Sequence, residues 1–251
     1  MIPPTVIPEL RPRAPTAPAD GRAPAAAGPA DSLPAQWPGL SETDALAMAI
    51  RAIDAGEDEL VERLGVAAGD RKDTVALHGL RSASLAEEVA LAMGLTRETA
   101  SRIRRAAILH DIGKLAVPAS VLFKPGPLDP DEMALSKMHT VIGADLLRAG
   151  DSPLLPLACM LAMRHHEHWD GRGYPDGLAG EAIPLPARIL SVADVFDALI
   201  SARVYKVAWC EREALQEIVR QRGGHHDPAA VDALLRVYGR TDLDDWDQVV
   251  A

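Results

Sequence analysis

An all-α fold is what this sequence predicts, on three observations. From Ser41 onward, apolar and small residues recur at helical spacing. No run alternates convincingly as a half-buried strand does, and no internal repeat is present. Short connections punctuated by Gly and Pro separate the periodic segments. Hydrophobic residues make up 48% of the chain and aromatics only 4%, so Leu, Val, Ile and Ala must fill the core.

Taken in order, residues 1–38 hold ten of the twenty prolines and few large apolar side chains. They cannot bury enough surface to offset their ordering entropy and are read as a disordered Pro/Ala-rich tail. Residues 39–73 form an accessory helical hairpin. Ser41-Glu42-Thr43-Asp44 resembles a capping box ahead of Leu46, Ile50 and Ile53, Gly56 closes that helix, and Leu60, Val61 and Leu64 mark a second. It either packs on the main domain or serves as an input or homodimer element. The main domain, residues 74–238, opens with a helix from Thr74 to Gly94 that sets His78 in a stripe with Val75, Ser82, Leu85, Val89 and Ala92.

The stretch Ile103–Lys114 then places Ile103, Ala106, Ala107 and His110 at helical spacing, with Asp111 directly after. A carboxylate beside an imidazole at the buried end of a helix needs a positive partner or a cap to satisfy. A metal ion meets the first need and a His–Asp capping pair the second. After a Pro- and Gly-rich connection, Asp129 or Asp131 opens a helix on which His139 shares a face with Leu135, Ile142 and Leu146. A helix from Leu157 ends near His165, His166 and Glu167; adjacent helical positions diverge by about 100°, so the two imidazoles flank one site only at a helix end. Asp194 sits inward on a helix with Ala187, Leu190 and Ala198. Arg203, Tyr205 and Lys206 form a short basic cluster, and helices follow near Glu211–Arg220 and Ala229–Tyr238. Residues 239–251 are an acidic, solvated tail.

Charge and cysteine usage exclude several classes. Acidic residues outnumber Lys plus Arg by 36 to 26, which argues against nucleic-acid polymers and anionic membranes but leaves room for one basic pocket. Cys159 and Cys210 suit a reduced compartment and show no zinc-type pairing. The longest apolar run, Leu154–Met163, is short and broken by Pro156, and the N-terminus has no secretory pattern, so a cytoplasmic location is expected.

Each imidazole alone has an ordinary explanation as a satisfied core histidine; their joint occurrence does not. His78, His110, Asp111, His139, His165, His166 and Asp194 come from five helices and face one interior, too many polar groups to stay buried unpartnered. They exceed one tetrahedral zinc and suit two divalent transition metals bridged by Asp111, with Fe or Mn favoured by the mixed N and O donors. Two such ions clamp a phosphate and lower the pKa of a bridging water, the expected nucleophile.

The motifs HDIGK, His139, HHE, DGRGYP (Asp170–Pro175) and ARILSVADVFDAL resemble, in order, an HD-GYP domain of the HD phosphohydrolase superfamily. The resemblance implies a helical bundle that hydrolyses cyclic di-GMP to linear pGpG or on to GMP. It also implies that the seven residues above are the ligands. Lys114 then contacts the scissile phosphate, while Arg203 and Lys206 hold the other phosphate or guanine. Tyr174 edges the pocket or meets diguanylate cyclase domains, with which the GYP loop of similar proteins is linked; alternatively Tyr174 and Pro175 only stiffen their loop. Thr74 stands where three-metal members carry a Glu, which implies two metals here. His226 replaces a usual Phe and is expected at the surface near the last helix, without a metal role. Two other readings stay open: a catalytically silent scaffold or binding module, and a phosphohydrolase of another cyclic dinucleotide or nucleotide.

Overall fold

The computed structural model describes residues 78–148, 152–201 and 208–240, all within the Ser41–Ala251 unit of the chain. The Pro-rich tail, the accessory hairpin, Thr74, the cluster of Arg203, Tyr205 and Lys206, and residues 241–251 lie outside the described residues. Those described form α1 (His78–Ala92), α2 (Arg97–Ala107), a 3-10 turn (Ile112–Ala116), α3 (Ala119–Leu122) and α4 (Pro130–Lys137). Then come α5 (His139–Leu147), α6 (Leu155–Arg164), a second 3-10 turn (Gly180–Ala182), α7 (Leu185–Ile200), α8 (Glu211–Arg220) and α9 (Pro228–Val237). Among the described residues there is no strand, only the isolated bridges Asp170–Ala179 and Arg222–His226. The all-α expectation stands.

The bundle is organised by α7, which buries residues on every side: Ala187, Ile189, Leu190, Val192, Ala193, Phe196 and Leu199. A helix apolar all round belongs inside a core, and each of its large side chains contributes roughly 1.5–3 kcal/mol of burial. α1 packs on α7, α2 and α9, and its Ala83, Ala86 and Ala90 are fully buried and let the helices approach closely. α5 packs on α6 and on the first 3-10 turn. Asp194 and Asp197 lie on this most buried helix with 8% and 2% exposure, so whatever faces them must offset the desolvation of two carboxylates.

Two helix boundaries differ from the expected ones. The segment after the Pro-rich connection is two helices. Asp129 caps α4 in a capping box with Glu132, α4 ends at Lys137, and α5 starts at His139. Leu135 therefore does not share a face with His139; it is 43% exposed, and α4 buries none of its residues. The inward face of α5 is instead His139, Thr140, Gly143, Ala144 and Leu147. The second difference is that α2 stops at Ala107, so His110 lies in the turn between α2 and the 3-10 turn rather than on a helix. Among the described residues no helix is long and apolar enough to cross a membrane.

Candidate metal centre

Five elements bring the seven sequence-predicted donors to one place. From α1, His78 Nε2 lies 3.0 Å from Asp194 Oδ1 of α7. His110 Nε2 lies 3.3 Å from the same oxygen and 3.3 Å from Asp111 Oδ2. The other oxygen of Asp111, Oδ1, faces the opposite side, 3.4 Å from His139 Nε2 of α5 and 3.8 Å from His165 Nε2 at the end of α6. His165 is the C-cap of α6 and His166 follows it. The helix has ended there, so the adjacent rings are free to converge, with centroids 4.0 Å apart. Two groups of three donors result, His78–His110–Asp111 and His139–His165–His166, each with ligand atoms within 4.8 Å of one another. Asp111 stands between them.

Local backbone contacts orient the rings. Nδ1 of His110 lies 2.7 Å from the Ala107 carbonyl, that of His139 2.6 Å from Ser136 O, and that of His165 2.9 Å from Leu161 O. A carbonyl only accepts, so each Nδ1 carries a hydrogen and, in the neutral ring, each Nε2 presents a lone pair. The Nε2 atoms of His139 and His165 then face each other at 3.5 Å, an arrangement that calls for a cation between them. His110 Nε2 and Asp111 Oδ1 are buried without a hydrogen-bond partner, although buried polar atoms normally have one. Orphaned donors of this kind, two nitrogen-rich groups joined by one carboxylate, fit a pair of divalent ions. The capping alternative fails: Asp111 makes no side-chain cap hydrogen bond.

The charge state of the metal-free cluster follows from its packing. Burial opposes a charge on His110, yet the carboxylates of Asp111 and Asp194 outweigh it and raise the imidazole to about 10. Burial also works against both carboxylates. Lys114 and His110 nevertheless hold Asp111 well below the usual range, and His78 and His110 do so for Asp194. On the other side burial, reinforced by the His110 charge, pushes His165 down to about 3, and burial likewise lowers His139 and His166. At neutral pH a proton on His110 therefore sits where an ion would bind. Because that raised group stays protonated up to about 10, and against its burial Asp194 and Asp197 raise His78 as well, metal uptake at pH 7 should expel at least one proton. Affinity should then rise at least tenfold per pH unit at neutral pH. Calorimetric titration of the apoprotein in buffers of different ionisation heat reads the proton count; a pH-independent affinity would refute it.

The remaining predicted residues fall around this cluster. Lys114 Nζ lies 2.5 Å from Asp111 Oδ2. Tyr174 stacks on His166 at 4.8 Å, and Lys137 Nζ lies over the Tyr174 ring, 4.9 Å from its centroid. The loop bearing Tyr174 is tied down by Glu167, a buried carboxylate that accepts from the backbone N–H groups of Asp176 and Leu178, both at 3.0 Å, and from Arg164. Gly173 lets this loop fold back on itself, since a Cβ there would meet His168 N at 2.2 Å. Sequence reasoning missed Glu167 as the loop's clamp and Asp197 as the partner of His78. The signal for Asp197 was its i+3 spacing from Asp194 on α7. One expectation is corrected: His226 is not at the surface but 1% exposed, stacked on His225 at 4.3 Å, which stacks on His168 at 3.7 Å. The turn Gly223–Asp227 packs on the His168–Asp170 segment, where the N–H groups of Trp169 and Asp170 donate to the carbonyls of His225 and Gly224, and Asp227 caps α9 and pairs with Arg188.

A model of the HD domain matches residues 63–230. The chain belongs to the HD domain family. Within that family the HDIGK, HHE and DGRGYP motifs are those of the HD-GYP branch. This HD domain protein is 46% identical over 205 residues to the cyclic di-GMP phosphodiesterase response regulator RpfG of Xanthomonas campestris pv. campestris, covering 82% of this chain and 54% of that one. It is 39% identical over 193 residues to a 3′3′-cGAMP-specific phosphodiesterase of Vibrio cholerae, covering 77% of this chain and 35% of that protein. The chain thus spans about half the length, or less, of these relatives. An HDG"Y"P protein from Bdellovibrio bacteriovorus aligns with a TM-score of 0.55 and 19% identity, over 81% of this chain and 74% of that one, which shows a common fold.

Proposed function

We propose that this HD domain, residues 74–238, is a metal-dependent phosphodiesterase that opens cyclic di-GMP to linear pGpG. Asp111 carries the reading, as the one carboxylate among the described residues that reaches both donor groups, with Oδ1 lacking any hydrogen-bond partner. In the proposed site His78, His110 and Asp194 would hold one divalent ion and His139, His165 and His166 the other, with Asp111 shared between the two donor groups, and Fe or Mn would be the favoured metals. Bound there, the pair supplies Lewis-acid activation of a water and neutralises charge at the phosphate. The chain's own residues do the rest. Lys114, beside Asp111, places a cation where negative charge accumulates on the phosphoryl oxygens. Tyr174, stacked on His166, offers an aromatic edge at the same group. Arg203 and Lys206 belong to the same proposal as clamps for the second phosphate or a guanine. Water's oxygen replaces O3′ on one phosphorus and a proton passes to O3′, leaving a 5′-phosphate and a free 3′-hydroxyl.

The relative named as 3′3′-cGAMP-specific supports a second reading, in which the mixed cyclic dinucleotide is the substrate. Anaerobically purified, metal-analysed protein assayed with each dinucleotide separates the two. Conversion of cyclic di-GMP to pGpG is expected; preference for 3′3′-cGAMP reassigns the substrate, and no turnover by protein carrying two ions makes it a binding module. Lys114→Ala should slow turnover about 10²–10³-fold with metal content unchanged. Loss of metal in that variant would instead give Lys114 a structural role.

A further inference from the structure

His78 differs from the other oriented histidines of the cluster. His110, His139 and His165 each turn Nδ1 to a backbone carbonyl, whereas Nδ1 of His78 lies 2.5 Å from Oδ2 of Asp197. Asp197 is itself fixed: Arg81 grips both its oxygens, Nε to Oδ1 at 2.6 Å and Nη2 to Oδ2 at 2.9 Å, and the Ser201 hydroxyl donates to Oδ2 at 3.2 Å. Arg81 Nη2 also donates to Ser201 Oγ at 2.7 Å. Arg81 follows His78 by three residues on α1, and Asp197 follows Asp194 by three on α7. The two helices are therefore joined by His78 to Asp194 on the inside, and by His78 and Arg81 together to Asp197 further out.

From this geometry, and resting on the two-metal reading above, we propose that Asp197 is a positioning residue for one ion only, the one on the side of His78. A carboxylate on the far nitrogen of a ligating imidazole fixes its tautomer and ring angle and makes Nε2 a stronger donor. The His139–His165–His166 group has no contact with Asp197 among the bonds described, and its rings are set by carbonyls of their own helices. Dependence on Asp197 should therefore be confined to one of two sites. A bridge that merely glued α1 to α7 would, when cut, loosen both.

The test titrates the apo form of the full chain with Mn(II) and follows free Mn(II) by electron paramagnetic resonance. Wild type should take up two ions; fewer would overturn the binuclear reading itself rather than this inference. In Asp197→Asn one ion should bind as in wild type and the other roughly 10–100-fold more weakly. In a His78→Ala background, Asp197→Asn should add nothing, because the residue acts through His78. Equal weakening of both ions, no weakening, or an additive loss in the His78→Ala background would overturn the assignment. Should Asp197→Asn fail to fold, Arg81→Gln replaces it, at a half-exposed position. A loss confined to the same ion supports the inference, and wild-type binding of both ions overturns it.

Discussion

Asp111→Ala is expected to lower phosphodiesterase turnover by on the order of 10³-fold or more, the scale of losing metal-assisted charge stabilisation. The protein should stay folded. Asp111 Oδ2 faces His110 and Lys114 at 3.3 and 2.5 Å, while Oδ1 faces His139 and His165 at 3.4 and 3.8 Å. No other residue described spans both donor groups, so neither ion keeps a full set without it. The backbone asks less of this side chain. It makes no cap hydrogen bond at the 3-10 turn and is 19% exposed, so removing it opens no sealed cavity. Turnover, metal content and a thermal melt measured on the same preparation separate the outcomes. Near-normal turnover would contradict the bridge, and a collapsed melt would give Asp111 a structural role first. Asp111→Asn sharpens the result, since it keeps volume and removes the charge.

Much of this site was legible because helical periodicity and buried chemistry conflict in so few ways. His78, His139 and Asp194 were placed inward by their apolar neighbours, and each is less than 9% exposed. The pair His165–His166 needed one further inference, that the helix ends there, and it does at Arg164. Periodicity failed where the backbone departs from it. His110 follows the end of α2, and its orientation comes from a bond to the Ala107 carbonyl rather than from a helical face. His139 begins a helix instead of sitting within one, because the chain turns at Met138, and Leu135 is thereby left facing solvent. Partners across helices were legible only as shared faces: the i+3 spacing puts Asp197 on the face of Asp194 without telling what it meets. The pairing of Asp197 with His78 spans 119 residues, and no local spacing reports such a contact. His226 misled for the opposite reason: a polar residue in a Gly-rich turn reads as surface, but the turn is packed against the His168–Asp170 segment.

Gly113→Ala should cost about 3 kcal/mol or more, the upper range for overpacking a close contact. In a chain of this size that lowers Tm by roughly 6–12 °C, and the ions should be lost with it. A Cβ at residue 113 would lie 1.9 Å from the His139 carbonyl oxygen, 2.8 Å from its carbon and 2.6 Å from the Gly143 nitrogen. All three atoms are backbone, so no rotamer change relieves the clash. Gly143 answers from the other side, its own Cβ position lying 3.1 Å from Gly113 N. The 3-10 turn carrying Asp111 at its head is thus pressed directly on the first turn of α5, and this contact sets Asp111 Oδ1 3.4 Å from His139 Nε2. To admit a methyl group the turn must move off α5 and take the bridging carboxylate with it, so stability and metal binding should fail together. Gly79→Ala is the contrast: its Cβ meets only Ile108 O, at 3.6 Å, and a helical Gly→Ala change there should hold or raise stability by up to about 1 kcal/mol. If Gly113→Ala melts with wild type and keeps both ions, the turn is not what holds Asp111 against α5.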